Sequence, residues 1–99
     1  MYKNKELNKL EKYLKKNNYN YTRIEKEVWI GNVDIGKHQI VVFNENGDKL
    51  WDVICQYGSE GHADGLLEAM GAPVVKYNDR SRIVGCLSAD DVIKRLEDD

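Results

Sequence analysis

Leu7, Leu10 and Leu14 recur at i, i+3 and i+7, one face of a 3.6-residue period, and predict a helix over residues 4–17. Asn4 suits its N-cap, and Asn17 or Asn18 can take the left-handed conformation at its end. Lys15 and Lys16 suit the negative end of the helix dipole. The pattern then changes period. In YNYTRIEKEVWI, Tyr19, Tyr21, Arg23, Glu25 and Glu27 fall on one side of an extended chain, and Thr22, Ile24, Lys26 and Val28 on the other. This alternation predicts an outer strand with one wet face. GNVDIG, residues 31–36, reads as a loop flanked by glycines.

Two strands, about 38–44 and 49–56, flank Asn46-Gly47, the dipeptide favoured in a type I′ hairpin turn because both central residues need φ > 0. Trp51, Val53 and Cys55 share one face; Leu50, Asp52 and Ile54 share the other. Ile40 and Val42 alternate with Val41 and Phe43. Apolar groups on both faces predict a central hairpin covered at least partly on each side. GSEGHADGLLEAMGAP reads as helical through the stripe Ala63, Leu66, Leu67 and Met70, with Gly71 at C′ and Pro73 as the stop. Residues 74–82 form a polar connection, and 82–87 a short strand. In LSADDVIKRLEDD, Ser88 is an N-cap, Asp91 completes a near capping box, and Leu87 with Val92 forms a hydrophobic staple. The expected fold is one α+β domain over residues 1–99. Its order is α-β-β-β-α-(β)-α, with about three helices on an antiparallel sheet of three to four strands.

Ninety-nine residues leave room for one core. Hydrophobic content of 41% with 32% charged residues predicts a soluble chain. The N-terminal MYKNKELNKL lacks the apolar segment of a signal peptide, and no apolar run reaches the length of a membrane span. The expectation is a cytoplasmic protein that engages no membrane. Charge is uneven: residues 1–49 hold ten Lys/Arg against seven Asp/Glu, and residues 50–99 hold five against ten. Six lysines in the first sixteen residues raise the question of nucleic acid. However, the pI is 5.7 and no reader motif is present, so a solvated helix face is the simpler account.

Residues 58–65, GSEGHADG, are the stretch that most invites a chemical reading. A phosphate loop needs a lysine and hydroxyl after its last glycine; here both are missing, and Glu60 and Asp64 would repel an anion. The serine follows Gly58 directly, so the GxSxG elbow is absent too. Cys55 and His62 would need an activated thiolate, an orienting group and an oxyanion site, none of which the sequence assembles. His38, His62, Cys55, Cys86 and Asp64 lack the short paired spacings of a zinc site. The expectation is no catalytic, cofactor or metal site. The glycines are read instead as backbone geometry at a strand-to-helix corner, with Ser59 as a cap and Glu60 at the positive helix end.

WDVICQYGSEGHADGLLEAMG followed by VGCLSADDVIKRL resembles a group of small uncharacterised proteins encoded by phages and prophages of Gram-positive bacteria. Trp51-Asp52, Cys55, Tyr57-Gly58-Ser59, Gly65 through Glu68, Met70-Gly71, Val84-Gly85 and Leu87 through Val92 carry the resemblance, over about residues 38–97. An aromatic is common in the group where this chain has Cys86. The resemblance implies a mobile-element origin and a bacterial host cell, and no enzyme activity or cofactor. The functional expectation is a non-enzymatic protein-binding module, with Trp29, Tyr21, Ser59, Glu60, His62 and Asp64 as the candidate interaction surface. Homodimerisation through strand 21–28 is a further expectation. Association with nucleic acid through the lysine helix is the alternative.

Overall fold

A computed structural model describes residues 4–98. Its framework grows from the central hairpin that the alternation predicted. Strand β4 (Lys37–Phe43) pairs antiparallel with β5 (Lys49–Ile54). Ile40, Val42, Trp51, Val53 and Cys55 all point into one core and are almost wholly buried. The turn differs from the two-residue form expected. Asn44 Oδ1 accepts from the backbone N–H groups of Asn46 and Asp48, and Gly47 N–H donates to Asn44 O at 3.0 Å. Gly47 has positive φ and Asn46 does not, so the connection is a longer loop built on a tight turn. The register then shifts between Val42 and Phe43, which leaves Leu50 as an extra residue on β5.

Helix α1 (Lys5–Lys16) follows the leucine stripe. Asn4 Oδ1 accepts from Leu7 N–H at 2.9 Å, and Asn18 takes the left-handed turn that ends the helix. Leu7, Leu10 and Leu14 are fully buried. Strand β1 (Asn20–Lys26) then pairs antiparallel with β4, in register from Asn20 opposite Phe43 to Lys26 opposite Lys37. Residues 31–36 are not a plain loop. Val33–Asp34 (β3) pairs with Trp29–Ile30 (β2) in a separate small hairpin between β1 and β4.

The largest correction concerns residues 61–70. No α-helix forms there. His62–Asp64 make one 3-10 turn between left-handed Gly61 and Gly65, and Leu67–Met70 is a strand, β6, paired with β5. Leu67 and Ala69 are buried while Glu68 is half-buried and Met70 exposed, a period of two hidden inside the apparent helical stripe. The two glycines in αL stop a helix from propagating, and the open edge of β5 supplies the ladder. Gly71 therefore closes a strand, not a helix. Ser59 caps nothing: its hydroxyl accepts from Gln56 N–H and donates to Gln56 O, closing the 56–59 turn. Glu60 likewise sits outside any helix end, and its N–H donates to Glu68 Oε1.

Strand β7 (Ile83–Leu87) adds to β6, giving the sheet order β1-β4-β5-β6-β7. Helix α2 (Ala89–Glu97) starts at a complete capping box between Ser88 and Asp91. Ala89 and Val92 join the leucines of α1 in one core, so both helices cover the same sheet face. The expectation of three helices and three to four strands is corrected accordingly: among the described residues there are two α-helices, a five-stranded sheet and a two-stranded one. On the opposite face lie Thr22, Ile24, Gln39, Val41, Asp52, Ile54 and Met70. Asp52 is buried there, with Oδ2 accepting from Gln39 Nε2 at 2.7 Å and Oδ1 lying 3.2 Å from Lys49 Nζ, a charge contact without hydrogen-bond geometry. No helix among the described residues is long and apolar enough to cross a membrane.

Within the glycine-rich stretch, Gly61 lies in close backbone contact with β7. Gly61 has φ 94°, and a Cβ there would lie 2.9 Å from Cys86 Cα. Gly61→Ala should therefore lower stability by at least about 2 kcal/mol, from the left-handed backbone and the clash together. Urea unfolding measures it; an unchanged midpoint would show that the stretch has some role other than packing.

Candidate functional site

The β2–β3 hairpin projects from one corner of the sheet as a short arm. Val28, Trp29, Ile30, Val33 and Ile35 are all exposed, with Trp29 at 54% and Ile30 at 64%. Scattered exposed apolar residues are ordinary, but here they lie on both faces of one hairpin: Ile30 is paired with Val33 on one face, and Trp29 with Asp34 on the other. Ile35 N–H donates to Val28 O at 2.7 Å, and Trp29 Nε1–H donates to Glu27 Oε1 at 2.9 Å. A two-stranded hairpin this short is marginal by itself in water. Its order comes from its base.

That base is a chain of charges. Tyr21 Oη donates to Glu11 Oε2 at 2.9 Å, and Glu11 Oε1 accepts from Arg23 Nη1 at 3.0 Å. Arg23 also donates to Asn8 Oδ1 and, through Nε, to Glu25 Oε2, both at 2.9 Å. His38 sits between two carboxylates, with Nδ1 against Glu25 Oε1 and Nε2 against Asp34 Oδ2 at 2.6 Å. Carboxylates only accept, so an imidazole bonded to both must carry both protons. Asp34 Oδ1 completes the run by accepting from Val28 N–H at 3.0 Å and Gly36 N–H at 2.9 Å. Gly36 is required there, because a Cβ would fall 1.7 Å from Lys26 O.

The pKa values follow this geometry. Partial burial disfavours the His38 imidazolium, but the hydrogen bonds and charges of Glu25 and Asp34 outweigh it, so the pKa stands above its ordinary value. Burial would raise the Glu25 pKa; His38 and Arg23 outweigh it and bring the pKa down. Asp34 is lowered chiefly by the N–H groups of Val28 and Gly36, then by His38. Elsewhere, Arg95 lowers the Asp79 pKa, with the Lys76 N–H adding to the effect.

The six residues singled out from sequence fall into two groups. Trp29 is exposed on the arm, and Tyr21 is half-buried in its bracing chain. Ser59, Glu60, His62 and Asp64 lie in the loop between β5 and β6, packed on β7 at the other edge of the sheet. Gln56 connects the two groups: its Oε1 accepts from His38 N–H at 3.1 Å, and its own N–H donates to Ser59 Oγ. The Cys55 side chain belongs to the core, whereas the His62 ring packs edge-on against Tyr57. Cys86 is exposed on β7. Among the described residues no cluster of three or more His, Cys, Asp or Glu is placed to hold a metal ion. An apolar depression of about 600 Å³, lined by Leu50, Pro73, Val75 and Tyr77, includes none of the candidate residues.

The lysine helix lies beside α2. Lys9 Nζ contacts Asp90 Oδ2 at 2.9 Å, and Tyr13 Oη donates to Glu97 Oε2 at 3.4 Å. Met1 to Lys3 and Asp99 fall outside the described residues, including one of the six lysines. Comparison with protein-family models, curated proteins and solved structures finds no match to this chain.

The brace has a defined pH dependence. A raised His38 pKa means that its contribution is fully present below the ordinary histidine value of about 6.5 and lost as pH rises through the folded value. The lowered carboxylate pKa values mean that Glu25 and Asp34 contribute above about pH 4 and lose that contribution as pH falls through their folded values. An NMR titration should place the His38 midpoint above about 6.5, and Asp34→Asn should move it down. A midpoint unmoved by Asp34→Asn would contradict this arrangement.

Proposed function

We propose that this chain is a non-enzymatic accessory protein of the phage or prophage type, acting in the bacterial cytoplasm as a protein-binding module. The arm is its binding element. One observation carries the reading: exposed apolar residues, Ile30 with Val33 on one face and Trp29 on the other, stand on a hairpin held in place by a run of hydrogen bonds. Tryptophan is enriched among the energetic anchors of protein interfaces, and a preordered element binds at a lower entropic cost. The resemblance to phage-encoded proteins in residues 38–97 supports the setting, and the arm itself lies outside that stretch.

The nucleic-acid alternative draws less support. Lys9 and Tyr13 are turned to acids of α2, which compete with any phosphate for them.

The test is capture of a specific partner from a Gram-positive lysate by the wild-type chain and by a Trp29→Ala/Ile30→Asp variant. Loss of an anchor of about 2 kcal/mol weakens binding roughly 30-fold, so the variant should lose the partner while its thermal melt stays in place. Equal capture by both chains would remove the arm from the interface. No reproducible partner for either would remove the reading itself.

A further inference from the structure

The two edges of the main sheet are managed differently. The β7 edge is covered: Cys86 N–H donates to Glu60 O at 3.4 Å, Gly61 lies against Cys86, and Cys86 itself has a left-handed φ of 58° that breaks the strand line. The β1 edge is not. It is seven residues long, and apart from its ladder with β4 no backbone hydrogen bond among the described residues reaches it. An unbroken edge of this kind is a template for another strand.

We propose that β1 pairs antiparallel with β1 of a second copy, about a twofold axis through Ile24. The charge pattern selects both the partner and the register. A twofold axis normal to the sheet makes one residue face itself. Centring on Arg23 or Glu25 sets like charges face to face, which is destabilising. Centring on Tyr21 or Thr22 brings no opposite charges together within the strand. Centring on Ile24 places Arg23 opposite the second copy's Glu25, and Glu25 opposite its Arg23. Arg23 and Glu25 are already neighbours within one chain, so the pairing closes an alternating ring of two cations and two anions. On the other face, the two Ile24 side chains meet, and Thr22 stands opposite Lys26. Both α1 layers then lie on the same side of a continuous ten-stranded sheet.

The edge rather than the arm makes this contact, so the proposal is independent of the one above. It adds one consequence: antiparallel pairing sends the two arms off opposite ends of the interface, presenting Trp29 twice.

Wild-type protein in sedimentation should run at twice the 11.4 kDa chain mass as its concentration is raised. In a Cys86→Ser background, Ile24→Cys should cross-link two chains under mild oxidation. Residues directly opposite have Cα atoms about 4.5–5.5 Å apart, within disulfide reach. Thr22→Cys should stay uncross-linked, because its two copies would be separated by about 13 Å along the strands. The Trp29→Ala/Ile30→Asp variant should still dimerise. A wild-type chain that remains at monomer mass up to about 200 µM, well above a typical micromolar dissociation constant, would overturn the proposal. Cross-linking of Thr22→Cys in place of Ile24→Cys, or loss of the dimer in the arm variant, would overturn it as well.

Discussion

Burial on one face of one sheet organises this molecule. Three leucines of α1 and Val92 of α2 enter a core floored by Ile40, Val42, Trp51, Val53 and Ala69. Each fully buried aliphatic side chain contributes about 1.5–3 kcal/mol, against about 0–1 for an exposed ion pair such as Lys9–Asp90. Apolar packing therefore decides the fold, and the charges adjust it. The need to complete that floor also explains β6. Leu67 and Ala69 extend it beyond β5, which a helix over 61–70 would leave as a bare edge. The opposite face has no helix, and it carries Thr22, Gln39 and a hydrogen-bonded Asp52 among its apolar residues.

Elements with one strong period were legible in the sequence. The leucine stripe gave α1 its true limits within a residue or two, and the Ser88/Asp91 box placed α2 at its first turn. The β4–β5 core face is also legible, because Ile40, Val42, Trp51, Val53 and Cys55 recur at every second position on either side of the turn. The segment 61–70 was not legible, since LLEAM satisfies both a helical stripe and a strand alternation over so few residues. What decides between them is the left-handed backbone at Gly61 and Gly65 and a ladder partner distant in sequence. Trp29 stands among the candidate interaction residues on sequence alone, and its side chain is exposed. The arm was not legible, because two-residue strands lie below the length at which alternation can be seen.

His38 is the clearest case of a candidate-site residue hidden from sequence. From sequence it suggests only a metal ligand, and its actual partners, Glu25 and Asp34, depend on the β1–β4 register and on the return of the arm. One cue was present. Asp34 and Gly36 bracket a single residue, the spacing at which a carboxylate bonds a backbone N–H two positions on. That spacing marks a turn but says nothing about a histidine clasped by the same carboxylate.

The arm poses a conflict that its surroundings resolve in one direction. Its apolar side chains add nothing to the core, and exposing them invites aggregation. A hairpin with that liability and no role would be easily shortened, because β1 and β4 need only a brief connection. Instead, Glu25, His38 and Asp34 are committed to bracing it, and two of its backbone N–H groups are bonded by Asp34 alone. Such bracing lowers the entropy that a partner would otherwise have to remove on binding. An exposed apolar surface braced in this way has the form that the proposed binding element needs.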